Sequence, residues 1–403
     1  MTIILASLVQ MTLGIHPTTG NTLEVTQDLK GTNTIASIEQ IQDNANSANF
    51  ATITQTGLGN WLQQLSQRTI SGEGPNRVTL TLTGDYNGIN GSTLAGAGPL
   101  AILAASVGAA ASEIIQKGDL SGGAGNIVEL AVTGDYNQFG VVQWGSDNSV
   151  SETITGSDNS FASFQLGQHN QIVSGGIAGD SNDIGIRQVG NANSASAVLN
   201  WSSSDNQVGI GQNGDANDAH VSVKGDHALI GVSQSGNGHV AGINAVGQNN
   251  VALAIQINDG ATSSIGNTLN VDINGSGNNA TVGGRAASFT GAALTALPLM
   301  PALPRSRLIS PDATLLVSLH GGNIEVVPGL LAQWGSGNSI DIKIGDAIAS
   351  NDNLFAVLQR GNGNAMSARV NGNGNQFLVA QLSDANIAAI EQTGSQNVAI
   401  ISQ

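Results

Sequence analysis

The chain of 403 residues contains no cysteine and few aromatic or charged residues. Without cysteine it can form neither a disulfide nor a thiolate metal site. Aromatic residues make up 3% of the chain, and the apolar residues are mainly Ala, Val, Ile and Leu. This composition predicts a thin core that is packed from small side chains.

Basic residues are the scarcer of the two kinds of charged side chain. Lys and Arg number 12 against 28 Asp and Glu, which leaves a net charge of -16. This balance argues against binding to nucleic acid or to anionic membrane surfaces. It is typical of a surface that is kept soluble by self-repulsion.

One segment of 18 residues is a candidate for a transmembrane helix. Residues 94–111 carry no charge, but their Gly, Pro and Ala content favours a short helix or loop on the flank of the fold. Residues 1–14 are apolar without Lys or Arg, which makes them a poor secretory signal. We expect no membrane span. We interpret residues 1–14 as an irregular N-terminal segment or cap, with a signal upstream as the alternative.

The chain does contain a repeating Gly-x-x-Asn pattern, mostly with 11 residues from one Asn to the next. A fixed period over most of the chain identifies a repeat array. The anchoring asparagines are Asn137, Asn148, Asn159, Asn170, Asn182, Asn193, Asn206, Asn217, Asn250, Asn338, Asn353, Asn364, Asn375, Asn386 and Asn397. The turn glycines are Gly134, Gly145, Gly156, Gly167, Gly179, Gly190, Gly214, Gly225, Gly236, Gly247, Gly335, Gly361, Gly372 and Gly394. Ala228 and His239 replace Asn at two positions, and Ser203, Ser350 and Ser383 replace Gly at three.

A second pattern doubles the period. The residue five before each anchor alternates between Gln and an apolar residue, as in Gln143, Ile154 and Gln165. Eleven residues are therefore half of a 22-residue unit. The glutamines assigned to this pattern are Gln143, Gln165, Gln188, Gln212, Gln234, Gln333, Gln359, Gln381, Gln392 and Gln403, of which Gln392 breaks the alternation.

Between the turns, alternate residues are apolar, which predicts strands of about six residues. One face of each strand then points to the core. Most of the charged residues, such as Asp183 and Arg187, take the other face. Gly and Asn are the residues that adopt the left-handed backbone of tight turns most readily.

We therefore predict an all-β solenoid with two strands per coil, a parallel cross-β stack of about twelve 22-residue coils with two irregular insertions. Stacking places the Gln of each coil on the Gln of the next, so that their amides form a continuous ladder, and the turn asparagines do the same. Burial of an unpaired Gln would be unfavourable, and repetition supplies its partner. Disorder is the alternative for such a composition, but disorder requires no register.

The repeats divide the chain into segments. Residues 15–87 are looser solenoid rungs, 88–125 an apolar Ala/Gly-rich insertion, and 126–282 a regular solenoid. Residues 283–331 are a Pro-containing insertion, and 332–403 are the C-terminal rungs. The sequence of 76–87 recurs at 126–137, which indicates a local duplication of coils.

No arrangement suited to catalysis is evident. The six histidines are dispersed, and no Ser-His-Asp set or carboxylate pair can be identified. Polysaccharide-cleaving β-helices carry Asp, Arg and Lys clusters, for which basic residues are too sparse here. We expect no enzyme, no cofactor and no metal site. Weak Ca²⁺ binding by Gly-Asp turns, such as those of Asp85 and Asp135, is left open.

The run Gln-x-Gly-x-x-Asn-x-Ala resembles the curlin repeat of curli-type amyloid fibre subunits. It occurs at 188–195, 212–219 and 392–399, and as a close variant at 359–366. The resemblance implies a secreted subunit that self-assembles into extracellular fibres for adhesion and biofilm matrix, with an export or nucleation partner. The last strand carries no cap after Gln403, so we expect growth end to end. The alternative is a monomeric solenoid adhesin or scaffold that binds a partner through residues 88–125 and 283–331.

Overall fold

The computed structural model describes residues 2–4, 12–15, 20–28, 32–42, 48–70, 74–88, 112–118, 123–173, 175–200, 203–258, 265–280, 328–346 and 348–403. Within these ranges every helical or extended element is a β-strand. The predicted all-β class is confirmed. The described part of the chain contains no helix with the length and apolarity needed to cross a membrane.

The chain divides into two units, Met1–Leu199 and Asn200–Gln403. The strands of the first unit are β1 (Thr2–Ile4), β2 (Thr12–Ile15), β3 (Thr22–Gln27), β4 (Thr34–Ile35), β5 (Ser37–Gln42), β6 (Phe50–Thr56), β7 (Trp61–Leu62), β8 (Gln64–Thr69), β9 (Arg77–Thr83), β10 (Glu113–Lys117), β11 (Ile127–Thr133), β12 (Gln138–Ser146), β13 (Ser149–Thr155), β14 (Ser160–Gln168), β15 (Gln171–Val173), β16 (Ile177–Ala178), β17 (Asp183–Val189) and β18 (Ser194–Leu199). Those of the second unit are β19 (Gln207–Asn213), β20 (Asp218–Lys224), β21 (Leu229–Ser235), β22 (Val240–Val246), β23 (Val251–Ile257), β24 (Thr268–Asn274), β25 (Leu330–Trp334), β26 (Ser339–Ile344), β27 (Leu354–Arg360), β28 (Ala365–Asn371), β29 (Gln376–Gln381), β30 (Ile387–Thr393) and β31 (Val398–Ser402).

In each unit the strands alternate between two parallel sheets. In the first unit, sheet A has the order β1-β3-β6-β9-β11-β13-β15-β18, with β16 beside β13 and β18. Sheet B has the order β2-β5-β8-β10-β12-β14-β17, and β4 pairs with β7 separately. In the second unit, sheet A has the order β20-β22-β24-β26-β28-β30 and sheet B the order β19-β21-β23-β25-β27-β29-β31. Neighbouring strands of a sheet therefore belong to successive coils.

The strand register is the one that the 22-residue period predicts. In the first unit Gln143 is paired with Gln165, and Gln165 with Gln188. In the second unit Gln333 is paired with Gln359. The chain thus advances by one strand spacing, about 4.8 Å, per coil. The two-strand coil of the predicted solenoid is confirmed.

The core of each unit lies between its two sheets and consists mainly of Val, Ile, Leu and Ala. Each sheet contributes alternate residues to it, as the period-two pattern requires. The largest fully buried side chains are Phe139 and Phe161 in the first unit and Phe355 and Phe377 in the second. The rings of Phe355 and Phe377 are stacked with centroids 5.3 Å apart.

The outer faces of the two sheets differ. Sheet A exposes its outward residues, as in β11, where Ile127 and Glu129 are exposed and the inward residues are buried. In sheet B the outward residues are largely apolar and buried, for example Phe164 on β14 and Leu378 on β29. The prediction that charged residues take the outer face therefore describes sheet A better than sheet B.

One strand of the solenoid lies inside the segment that was assigned to the first insertion. Strand β10 pairs with β8 on one side and β12 on the other, so Glu113–Lys117 forms a regular rung. Sequence reasoning missed it because no Gly-x-x-Asn turn precedes this short strand. Residues 89–111 and 119–122, and residues 283–327 of the second insertion, lie outside the described part of the chain. Strands β1 and β2 pair with β3 and β5, so the N-terminal segment that was interpreted as irregular contains solenoid strands. The other predicted segment boundaries stay predictions.

Candidate functional site

The buried glutamines of sheet B form a hydrogen-bonded column in each unit, which we call the glutamine column. In the first unit Gln143 Nε2 donates to Gln165 Oε1 at 2.8 Å, and Gln165 Nε2 donates to Gln188 Oε1 at 2.9 Å. The members there are Gln40, Gln67, Gln116, Gln143, Gln165 and Gln188. In the second unit they are Gln212, Gln234, Gln256, Gln333, Gln359 and Gln381, followed by the exposed Gln403.

Amides in the column also donate to the backbone of the opposite strand. Gln143 Nε2 donates to Ile127 O at 3.0 Å, and Gln359 Nε2 donates to Ser339 O at 2.9 Å. Both amide hydrogens therefore have acceptors in the core. Burial of a fully bonded amide avoids the desolvation penalty of an unpaired one.

Four members of the column were missed from the sequence, namely Gln40, Gln67, Gln116 and Gln256. None of them stands five residues before an anchoring Asn with Gly at minus three. The signal that remains is a Gln that follows alternating apolar residues in a strand, as in the Ile-Ile-Gln sequence of β10.

The assignment of Gln392 to the glutamine column was wrong. This residue lies on β30 of sheet A and is paired with Val370. It follows Gln381 by 11 residues, which is half a coil, so it faces the core from the opposite sheet. Its Nε2 donates to Gln376 O at 3.1 Å, while its buried Oε1 has no hydrogen-bond partner within the described part of the chain.

The equivalent inward position of sheet A forms an aliphatic column. In the first unit Val132, Ile154, Ile177 and Leu199 occupy it, and in the second unit Val223, Ala245, Ile273, Ile344 and Val370. Glutamine occurs at this position only in Gln27, Gln55 and Gln392 among the described rungs. Gln27 Nε2 donates to Gln55 Oε1.

The anchoring asparagines other than Asn386 and Asn397 are buried, and the anchors form one column at each of the two bends of the coil. At one bend Asn159 donates from both its backbone N and its Nδ2 to Asn137 Oδ1, at 3.0 and 3.1 Å. Its Nδ2 also donates to Gly179 O at 2.7 Å. At the other bend Asn170 bonds to Asn148 in the same way.

The asparagine columns hold predicted residues together with six others. In the first unit one bend holds Asn60, Asn87, Asn137, Asn159 and Asn182, and the other holds Asn76, Asn126, Asn148, Asn170 and Asn193. In the second unit one bend holds Asn250, Asn278, Asn353, Asn375 and Asn397, and the other holds Asn267, Asn338, Asn364 and Asn386. Asn206 Oδ1 accepts Ala228 N and Asn217 Oδ1 accepts His239 N.

The left-handed residue of each bend is the one before the anchoring Asn, and not the Asn itself. Tyr136, Asp147 and Asp158 have φ of 59°, 57° and 59°. This backbone turns the following Asn side chain into the core, where it joins the column. The role expected for Asn, cheap access to the left-handed region, is therefore taken by its neighbour.

Two separate constraints favour glycine at the turns, namely backbone conformation and the space to the next coil. All fourteen have positive φ, between 97° and 143°. A Cβ added to Gly134 would lie 1.9 Å from Gly156 O in the next coil. A side chain at Gly134 is thus disfavoured by close approach as well as by conformation. Ser203 and Ser350 replace Gly and use Oγ to accept the N–H of Gly225 and Gly372.

His239 takes the place of an Asn in the second unit. Its Nδ1 accepts the N–H of Asn267 at 3.1 Å, and its Nε2 lies 3.1 Å from Ser235 O. This arrangement requires the neutral ring with hydrogen on Nε2. Burial lowers the pKa of His239 from 6.5 to about 4, against the opposing effect of its bond to Ser235.

Charged groups on the outer face of β17 are partly buried. Burial raises the pKa of Asp183, which a hydrogen bond from Ser160 partly offsets, and burial lowers the pKa of Arg187. The Arg187 guanidinium lies 5.8 Å from the centre of the Phe164 ring.

Among the described residues no group of three or more His, Asp or Glu is placed to hold a metal ion.

Strands β30 and β31 end the order of sheets A and B in the second unit. On β31 the side chain of Val398 is 62% exposed, and on β30 that of Ile387 is 74% exposed. The core columns of the second unit therefore reach an edge that no other described strand covers.

Parallel stacking, paired bends and buried amide columns define this chain as a β-solenoid that contains columns of hydrogen-bonded side-chain amides. A comparison with protein families gives the same answer for one part of it. Residues 204–236 match the family model of the curlin associated repeat. The chain therefore contains a curlin repeat, which includes Gln212, Asn217 and Gln234, and the suspected resemblance is confirmed. No curated protein matches the chain.

Proposed function

We propose that this chain is a curli-type structural subunit, and not an enzyme, that assembles end to end with copies of itself into extracellular amyloid fibres. Such fibres would serve adhesion and the biofilm matrix, and export or nucleation would involve a partner protein. The observation that carries the proposal is that the amide columns reach a strand edge that no described strand covers.

The edge of β31 has the groups needed to bind another strand. Gln376 N donates to Asn397 O, and Gln403 N donates to Ala380 O, so the odd-numbered residues of β31 bond to β29. Successive residues of a parallel strand point to alternate sides. The N–H and C=O groups of residues 398, 400 and 402 therefore point away from β29, toward the position of a further strand.

The amide columns also have a direction. Each Gln Nε2 donates to the Gln that follows it in the chain, as Gln381 does to Gln403 Oε1. At the bend of Asn397 the Asn Nδ2 donates to the Asn that precedes it, as Asn397 does to Asn375 Oδ1, whereas at the other bend Asn386 bonds to Asn364 Oδ1 through its backbone N. An added copy keeps the parallel strand direction of both sheets only if it has the same orientation. This favours a head-to-tail contact, which does not close and yields a fibre.

Electron microscopy and fibre diffraction of the purified protein test the proposal. We expect filaments of indefinite length with a reflection at about 4.7 Å. Protein that stays as discrete particles at high concentration and lacks this reflection would contradict fibre assembly. That result would favour a monomeric adhesin or scaffold.

A variant of β31 tests whether this edge is the growth site. Ile400→Pro removes an N–H that points away from β29 and leaves the bonds to β29 in place. We expect it to slow seeded elongation by about tenfold, the effect of one lost hydrogen bond of typical strength. Ile400→Ala is the matched control, because it keeps the N–H. Equal elongation rates for the two variants would place growth elsewhere.

A further inference from the structure

The only two tyrosines of the chain lie against each other on the surface of the first unit. The ring centroids of Tyr86 and Tyr136 are 5.2 Å apart, and the ring planes are inclined by 13°. The two residues are 47% and 48% exposed. The pair is therefore stacked and accessible to solvent at the same time.

The bends hold these rings in place. Tyr86 and Tyr136 have φ of 57° and 59°, a region that bulky residues rarely adopt. Tyr86 N donates to Leu58 O at 2.7 Å, and Tyr136 N donates to Asp85 O at 3.0 Å. A Cβ added to Gly59 would lie 2.8 Å from the Tyr86 ring, so one face of that ring rests on the glycine.

The fold itself does not require tyrosine here. Asp158 and Ser181 occupy the corresponding position in the next two coils, with nearly the same φ. The two tyrosines are 50 residues apart in the sequence but one coil apart in space, since Asn137 bonds to Asn87. A covalent bond between them would join two successive coils of a chain that has no cysteine for a disulfide.

We propose that Tyr86 and Tyr136 are a site of oxidative modification, at which a one-electron oxidant of the haem peroxidase class, with hydrogen peroxide, joins them as dityrosine. Each phenol loses one electron and one proton and becomes a phenoxyl radical. A carbon–carbon bond then forms between one ortho carbon of each ring. The hydrogen on each of these carbons moves as a proton to the ring oxygen, which restores both phenols. Hydrogen peroxide takes up the two electrons and two protons and becomes two water molecules.

The test is oxidation of the full chain by peroxidase and hydrogen peroxide in dilute solution, with the monomer isolated by size. We expect dityrosine fluorescence in the monomer, an intact mass reduced by two hydrogens, and one cross-linked peptide pair that contains Tyr86 and Tyr136. Tyr136→Phe keeps an aromatic ring at the bend and should abolish all three signals in the monomer.

Two double variants separate stacking from mere exposure. Tyr86→Phe with Asp158→Tyr moves the pair one coil along the same bend, and we expect cross-linking to return. Tyr86→Phe with Asp147→Tyr places the second tyrosine at the other bend, and we expect cross-linking at least about tenfold slower. Dityrosine found only in dimers and larger species, or equal rates for the two double variants, would overturn the proposal.

Discussion

Sheets A and B place the same strand position in the core, yet they fill it with opposite chemistry. Sheet B stacks glutamines, and each amide depends on a glutamine in the next coil. Sheet A stacks aliphatic residues that vary from Ala245 to Leu199, because dispersion contacts need no particular partner. An amide column thus selects the residue at every rung, whereas an aliphatic column selects only apolarity and approximate size.

The largest effect is expected when an amide is placed in the aliphatic column. In Ile154→Gln the new side chain would lie between Val132 and Ile177, neither of which can bond to it. We expect the free energy of unfolding to fall by about 4 kcal/mol, from lost packing and an unpaired buried amide. Denaturant titration measures this loss. Ile154→Val, which removes one methylene, should cost about 1 kcal/mol. Equal losses for the two variants would mean that the column does not discriminate.

The reverse change removes an amide from the glutamine column. In Gln165→Leu, Gln188 Oε1 loses the amide that donates to it, and Gln143 Nε2 loses the oxygen that accepts from it. We expect a loss of about 3 kcal/mol, since buried amide groups lose hydrogen-bond partners. Ile177→Leu on sheet A conserves volume and should cost less than about 1.5 kcal/mol. A small loss for Gln165→Leu in denaturant titration would show that the column contributes little.

Lowering the pH should destabilise the chain through His239, whose imidazole stands in an asparagine column. The pKa of His239 is lowered to about 4 in the folded chain and is 6.5 in the unfolded chain. The unfolded state therefore binds the proton first, and stability that is present above pH 6.5 is lost as the pH falls toward 4. Relative to pH 7.5, we expect a loss of about 2 kcal/mol at pH 5 in denaturant titrations. His239→Asn should remove this part of the pH dependence, and an unchanged profile in that variant would contradict the assignment.

The smallest effect is expected where an amide already stands in the aliphatic column. Gln392 buries an Oε1 that has no hydrogen-bond partner among the described residues, next to Val370. Gln392→Val should stabilise the chain by about 1 kcal/mol, because it removes a buried polar group. Thermal unfolding of the monomer measures the gain. Gln376→Val on the outer side of sheet B serves as a control for general apolarity, and an equal gain there would refute the explanation.

The part of this fold that repeats could be predicted from the sequence. The spacing of Gln143, Gln165 and Gln188 implies their stacking once a 22-residue coil is accepted. Gln116 escaped prediction because no turn motif precedes its rung, and Gln392 was misplaced because a half-coil step moves a residue to the other sheet. The burial of Phe164 on the outer side of sheet B was also not predicted. Alternation separates the two faces of a strand but does not tell which of them is covered.

His239 has a consequence for the register in which the coils pair during folding. A chain of interchangeable rungs could pair one coil out of step and still match glutamine with glutamine. Such a slip would move the imidazole away from the N–H of Asn267, which its Nδ1 accepts. Residues that deviate from the repeat therefore help to specify which coils pair with each other.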